Sequence, residues 1–330
     1  MFKAFVFLLG CILPATAQPT NYWLTGDSTD VQTVTTQGVV LMGGGKDVNE
    51  AFRWMIQKAG GGDFVILRAS GADGYNTYLF QEIGGLNSVE TFLITAREQA
   101  FDKRLIQKIK NAEALFIAGG DQGNYVNFWK DTPVEDAINY LYNTKKIPIG
   151  GTSAGCVIMT SIYFPALNGS VTSAEALQNP YDTKVKLGND DFVNCTLLKQ
   201  TVCDMHFSNR QRQGRFVTFM ARMYKDWGYV PKGIGVDERT AVCIEPNGMC
   251  QVFGSGQAFF CMPSSKVTMP ERCEPNQPLE WNHQQQAIKT YKIPATPEGT
   301  GTFNLKNWKK GKGGTWGYFY VANGQFNMRF

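Results

Sequence analysis

Short apolar runs that alternate with amphipathic segments are the feature that most constrains the fold of this chain. Five such runs are separated by longer segments, several of which have helical spacing; they occupy residues 39–42, 63–67, 92–94, 114–117 and 147–149. Continuous apolar runs are typical of strands buried on both faces, and their alternation with helices predicts a parallel sheet covered by helices. Glycines follow the first, fourth and fifth runs, at the carboxyl ends where open α/β sheets place their sites. We therefore expect a doubly wound, mostly parallel α/β sheet with a functional site at that edge.

The hydrophobic pattern and the composition of the chain change after residue 208. A helical pattern at 214–224 is followed by several short strands with tight turns between 233 and 262, and the residues from 274 onward are rich in Gln, Pro and Lys. The hydrophobic fraction of 43% excludes a disordered chain, and 330 residues suit one or two domains. We predict a main domain over 18–270 with a β-rich C-terminal part, and an extension over 271–330 packed on it.

The first seventeen residues have the pattern of a secretory signal peptide. Lys3 precedes an apolar run at 5–13, and an Ala-Thr-Ala site ends at Ala17. This predicts a signal peptide over 1–17 and a secreted, extracellular protein. No later stretch reaches the roughly 18 apolar residues of a membrane span, and the net charge of +4 is spread along the chain. We expect neither a membrane nor a nucleic acid as partner.

Seven cysteines follow the predicted signal peptide, and six of them fall within 79 residues, a density that fits an oxidising compartment. Cys156 is expected to be a buried free thiol. The other six cysteines allow fifteen disulfide connectivities, and turn and loop signals suggest one of them without excluding the rest. The suggested connectivity joins Cys243 to Cys250, Cys261 to Cys273, and Cys195 to Cys203. With only two histidines and no zinc-type spacing, neither a metal site nor a cofactor is expected.

A Gly-x-Ser-x-Gly motif at 151–155 carries the first chemical prediction. It follows the fifth apolar run and precedes a helical segment, which is the strand–turn–helix context of a nucleophile elbow. The pattern predicts Ser153 as a nucleophile, with the Ala154 N–H at the helix N-terminus facing an oxyanion. The alternative is a glycine-rich structural turn.

A serine nucleophile needs a base, and the chain offers His206 and His283. His206 ends an apolar strand and precedes Arg210, Arg212 and Arg215, whereas His283 lies in a polar C-terminal segment. We therefore predict His206 as the base and a structural role for His283.

Four motifs, in the expected order, resemble the cyanophycinase family of serine peptidases, which also contains aspartyl dipeptidases. They lie at 119–122, 150–155, 204–215 and 233–238, and the resemblance covers roughly residues 38–265. It implies a fold similar to that of class I glutamine amidotransferases and makes 18–270 the catalytic domain.

The resemblance also implies roles for individual residues. Ser153 corresponds to the nucleophile, His206 to the general base, and Glu175 to the candidate third member. Asp204 stays open as an alternative partner of the histidine, because on a strand it would share its face. The oxyanion would be held by the amides of Gly120 and Ala154, and the substrate contacts correspond to Gln122, Asp204, Arg210, Arg212 and Arg215. Met205 departs from the pattern, since cyanophycinase has a glutamine there.

These observations predict a secreted serine exopeptidase or dipeptidase whose peptide substrate carries carboxylates, with aspartyl and β-aspartyl bonds as candidates. The alternatives are a secreted binding or matrix protein that retains the fold, and an α/β-hydrolase esterase, whose histidine would lie nearer the C-terminus. A homodimer stays open. A Cys195–Cys203 bridge would brace the strand that carries His206.

Overall fold

The computed structural model describes residues 20–265 and 269–330. The predicted signal peptide lies outside the described residues. Eighteen strands and seven α-helices are formed within them. The strands are β1 Asn21–Gly26, β2 Gly38–Met42, β3 Asp63–Arg68, β4 Ser88–Leu93, β5 Ala114–Ile117, β6 Pro148–Thr152, β7 Ile162–Tyr163, β8 Gly188–Asn189, β9 Thr201–Met205, β10 Lys232–Val236, β11 Thr240–Ile244, β12 Met249–Gly254, β13 Gln257–Pro263, β14 Ile288–Pro294, β15 Gly301–Asn304, β16 Gly311–Lys312, β17 Thr315–Ala322 and β18 Gln325–Arg329. The helices are α1 Asn49–Lys58, α2 Lys103–Asn111, α3 Gln122–Trp129, α4 Pro133–Tyr140, α5 Ala154–Val157, α6 Ser173–Gln178 and α7 Gln213–Trp227.

The first sheet contains the five predicted strands at its centre. Its order is β1-β4-β3-β5-β6-β2-β11-β12-β15-β16, and β4, β3, β5, β6 and β2 are mutually parallel. Apolar side chains of α1 cover one face, and those of α2, α3 and α4 belong to the core on the other face. The prediction of an α/β fold with parallel core strands and flanking helices is confirmed, but the sheet is mixed and not mostly parallel, because β1 and the strands from β11 onward add antiparallel pairs.

The second sheet has the order β18-β17-β14-β13-β10-β9-β7-β8. Only β7, β9 and β10 run parallel to one another, and the other pairs are antiparallel. The residues after 271 supply β14, β17 and β18 to this sheet and β15 and β16 to the first one. The C-terminal segment therefore extends both sheets. None of the described helices is long and apolar enough to cross a membrane.

The expected disulfide bracing is not observed, because all seven described cysteines are buried free thiols. The predicted pairing of Cys243 with Cys250 is wrong for a reason of register. Cys250 lies opposite Ile244 in the β11–β12 ladder, so Cys243 points to the other face of the sheet. The Sγ atom of Cys203 lies 3.4 Å from that of Cys156, and the expected bridge from Cys203 to Cys195 is absent. Cys261 and Cys273, the third expected pair, are likewise unbridged.

Close packing at the start of α5 requires a residue without a side chain. A Cβ atom on Gly155 would lie 2.2 Å from the carbonyl oxygen of Ile117 in β5. Backbone atoms cannot give way as a flexible side chain can, so α5 starts in direct contact with the neighbouring strand. This contact sets where the turn between β6 and α5 lies.

We expect Gly155→Ala to lower the free energy of unfolding by about 1–3 kcal/mol, because the added methyl group overpacks a backbone contact. Urea denaturation measures the change. The matched control is Gly74→Ala, whose Cβ would meet only the Arg68 guanidinium at 3.9 Å. Equal stability of the two variants would contradict the packing argument.

Candidate active site

The loop that follows β2 connects the strand ends at which the candidate residues lie. Three successive carbonyl oxygens, from the last residue of β2 and the first two residues of the loop, accept backbone hydrogen bonds. Met42 accepts from the N–H of Ser153 at 3.0 Å and Gly43 from that of His206 at 2.8 Å. Gly44 accepts from the N–H of Arg239 at 2.9 Å, next to Glu238. The end of β6 in the first sheet is thereby connected to the ends of β9 and β10 in the second.

Ser153, His206 and Glu238 form a continuous hydrogen-bonded chain. The Oγ atom of Ser153 lies 2.8 Å from Nε2 of His206, and Nδ1 of His206 lies 2.6 Å from Oε1 of Glu238. Ser153 has a φ of 51° and His206 a φ of 48°, a region that side-chain-bearing residues rarely adopt. A Cβ atom on Gly44 would lie 2.4 Å from Cε1 of His206, so only glycine fits against the imidazole.

The environment of His206 favours the neutral imidazole. Burial lowers its pKa below the usual value, the hydrogen bond that the imidazole donates to Glu238 opposes that effect, and the charges of Arg210 and Arg212 lower the pKa further. A neutral imidazole that touches a serine hydroxyl has the proton-accepting capacity that a general base needs.

The structure does not bring Glu175 to His206. Its carboxylate accepts from the N–H of Thr172 at 2.8 Å, in a capping box at the start of α6, and pairs with Nζ of Lys184 at 2.7 Å. The Lys184 hydrogen bond, together with those from Thr172, lowers the pKa of Glu175 to about 2. Glu238 contacts the imidazole instead. Glu238 belongs to the motif at 233–238, but its contact with the imidazole depends on β10 lying beside β9, which the sequence does not reveal.

Asp204 does not orient the imidazole either. Its two carboxylate oxygens bind Nε and Nη2 of Arg215 at 2.7 and 2.6 Å, and both side chains are buried. His206 follows the end of β9 with a left-handed φ, so strand alternation no longer relates it to Asp204.

A cavity of about 360 Å³ opens beside Ser153. Of the five predicted substrate contacts, Gln122, Arg210, Arg212 and Arg215 line it, and Asp204 lies behind Arg215. Its remaining lining comes from Gly120, Asp121, Ala166, Gly169, Ser170 and Met205. Arg212 is largely desolvated, and burial lowers its pKa to about 10, so it remains charged at neutral pH.

One predicted oxyanion donor directly follows the nucleophile in the chain, and the other lies in the same cavity. Gly120 lines the same cavity as Ser153, and Ala154 is the first residue of α5, where an N–H has no acceptor within its helix. His283 lies apart from this cavity, and its Nε2 atom is 2.6 Å from the carbonyl oxygen of Met269. Across residues 20–265 and 269–330, no group of three His, Cys, Asp or Glu side chains could hold a metal ion.

The chain is similar to known peptidases and cyanophycinases. The family model described as peptidase family S51 matches residues 39–252. The cyanophycinase of Trichormus variabilis is 27% identical over 268 residues, which cover 78% of this chain and 84% of the relative. The cyanophycinase of Geminocystis herdmanii is 25% identical over 228 residues, covering 66% and 78%.

Two solved structures are also similar, each at 17% sequence identity. A peptidase from an acI-B1 Actinobacterium aligns with a TM-score of 0.48, covering 69% of this chain and 91% of the other. A putative peptidase E from Listeria monocytogenes aligns with a TM-score of 0.42, covering 67% and 99%. Because the family model spans well over half of the chain, the protein belongs to peptidase family S51 and is a serine-type peptidase.

Proposed function

We propose that this peptidase hydrolyses its substrate with a triad of Ser153, His206 and Glu238. The observation that carries the proposal is the unbroken chain of hydrogen bonds from the serine hydroxyl through the imidazole to the carboxylate, at 2.8 and 2.6 Å. The intact chain favours an active enzyme over a binding protein that only retains the fold.

In the proposed mechanism, Oγ of Ser153 attacks the scissile carbonyl while Nε2 of His206 accepts its proton. Glu238 holds the Nδ1–H of the imidazole and stabilises the imidazolium. The amides of Gly120 and Ala154 donate to the oxyanion. His206 then returns the proton to the leaving amine, and water, activated by the same imidazole, hydrolyses the acyl-enzyme.

The charges around the cavity support a substrate that carries a carboxylate. The charge of Arg215 is balanced by Asp204, whereas Arg212 approaches Asp204 no closer than 3.7 Å. Arg210 is half exposed at the rim and lies 3.9 Å from Glu238. Arg212 is therefore the cation best placed to bind a substrate carboxylate within the cavity.

The relatives are named for cyanophycin, but one lining residue argues for other peptides here. Met205 is almost completely buried and stands where cyanophycinase has a glutamine, so it offers the cavity no amide for a substrate hydrogen bond. We propose aspartyl or β-aspartyl dipeptides as substrates. The pattern of residues 1–17 supports a secreted location for the enzyme.

Labelling by a fluorophosphonate probe and turnover of Asp-containing dipeptides test the function together. The wild-type protein should react with the probe and hydrolyse members of an α- and β-linked dipeptide library, and Ser153→Ala should abolish both. Ser28→Ala, at an exposed position away from the cavity, is the control. Labelling that persists in Ser153→Ala would refute the nucleophile.

Replacing the two candidate glutamates separates their roles. Glu238→Gln should reduce kcat on the order of 10³- to 10⁴-fold, because the imidazole loses its charged, orienting partner. Glu175→Gln should retain activity within about twofold, since Glu175 caps a helix at the surface. Steady-state kinetics with the best dipeptide measures both, and the reverse ranking would contradict the proposed triad.

Charge recognition is tested with paired substrates. Arg212→Gln should lower kcat/KM for an Asp-containing dipeptide by about 10- to 100-fold, the value of one charge-assisted hydrogen bond. The matching Asn dipeptide should lose far less, and Arg104→Gln, distant from the cavity, should change neither. An equal loss of kcat/KM with both dipeptides would show that Arg212 does not recognise the substrate carboxylate.

A further inference from the structure

Two loops that carry the proposed base and acid leave the second sheet side by side. Strands β9 and β10 are parallel neighbours, and their last residues, Met205 and Val236, are partners in the ladder. His206 directly follows the first strand, and Glu238 follows the second after one intervening residue. The distance between imidazole and carboxylate therefore depends on how these two loops are held together.

Two side chains next to the proposed triad form hydrogen bonds between the loops, one from each loop. Oδ1 of Asp237 accepts from the N–H of Ser208 at 2.7 Å, in the loop of His206. Oδ1 of Asn209 accepts from the N–H of Glu238 at 2.9 Å, in the opposite loop. We call Asp237 and Asn209 the loop clamp. Asp237 lies in the loop after β10 and binds the backbone of the loop after β9, and Asn209 does the reverse.

Each loop is also bound to the loop after β2, because the N–H groups of His206 and Arg239 donate to the carbonyls of Gly43 and Gly44. Beyond the ladder, the N–H of Phe207 donates to the carbonyl of Val236 at 3.2 Å. Asp237 is 6% exposed, and its own N–H donates to the carbonyl of Gln257 in β13 at 3.0 Å. Asp237 is thus an anchored, buried member of the clamp, while Asn209 is its exposed member.

We propose that Asp237 and Asn209 are positioning residues that hold Nδ1 of His206 and Oε1 of Glu238 at hydrogen-bond distance. This inference rests on the proposed triad. The Glu238 side chain is 29% exposed, so water can replace the imidazole as its partner once its backbone is released. Without the clamp the imidazole loses both its orientation and the stabilisation of its protonated form.

Loss of the clamp has a signature that general destabilisation lacks. The ionisable groups around the imidazole are Ser153 from the elbow, Glu238 from the loop after β10, and Arg210 and Arg212 from the segment before α7. Both arginines lower the pKa of His206 and Glu238 raises it. A loosened Glu238 therefore shifts the pH midpoint of Ser153 reactivity to a lower value.

The test measures the second-order rate constant for fluorophosphonate labelling of Ser153 between about pH 5 and 9, the range in which histidine titrates. Asn209→Ala should lower the plateau rate about tenfold or more and move the midpoint to lower pH. Asn209→Asp keeps the accepting oxygen and should recover most of the plateau. Asp237→Asn also keeps an acceptor, should fold, and should lose less than Asn209→Ala.

Asn247→Ala is the matched control, because Oδ1 of Asn247 also accepts a backbone N–H at 2.9 Å, in an exposed turn. It should label as the wild type does. In a Glu238→Gln background, Asn209→Ala should cause no further loss, since both changes act on the same contact.

Three results would overturn the inference. They are a wild-type plateau and midpoint in Asn209→Ala, a lower plateau with an unchanged midpoint, and an equal loss on the Glu238→Gln background. Each leaves the proposed triad intact, provided that the wild-type protein is labelled. A wild-type protein that resists labelling at every pH would overturn the triad and the clamp together.

Discussion

The loop after β2 is the constraint on which the active site depends. The carbonyl oxygens of Met42, the last residue of β2, and of Gly43 and Gly44 in the loop accept hydrogen bonds from backbone positions at or beside each proposed triad residue. Ser153 comes from one sheet, and His206 and Glu238 come from the other. A shift of this loop would therefore change the distance between nucleophile and base. The close approach of Gly44 to the imidazole makes the loop part of the site as well as its support.

The charged side chains near the proposed triad are of two kinds: some are paired within the protein, and others are free to bind a substrate. The buried pair of Asp204 and Arg215 satisfies itself through two hydrogen bonds, and removal of either partner would leave an uncompensated buried charge. Arg212 has no comparably close carboxylate. The three arginines of the motif thus become one internal ion pair, one desolvated cation beside the nucleophile and one exposed cation, Arg210.

The failed predictions share a physical cause. Glu175 caps its own helix through the local Thr172-x-x-Glu175 pattern, and its position in the chain between Ser153 and His206 does not bring it to the imidazole. The cysteine pairing failed because a turn between Cys243 and Cys250 does not set which face each thiol occupies. The contact of Cys203 with Cys156 joins segments 47 residues apart and has no local signal.

Local sequence was sufficient to predict the parallel core strands and the elbow at Ser153, because hydrophobic periodicity and turn chemistry depend on short stretches of the chain. It also predicted His206 as the partner of Ser153, because the chain has only two histidines. Tertiary structure alone decided that Glu238 rather than Glu175 meets the imidazole, and that Asp204 faces Arg215. Those outcomes depend on which strands become neighbours and in which register, and strand pairing arises from contacts between segments that are distant along the chain.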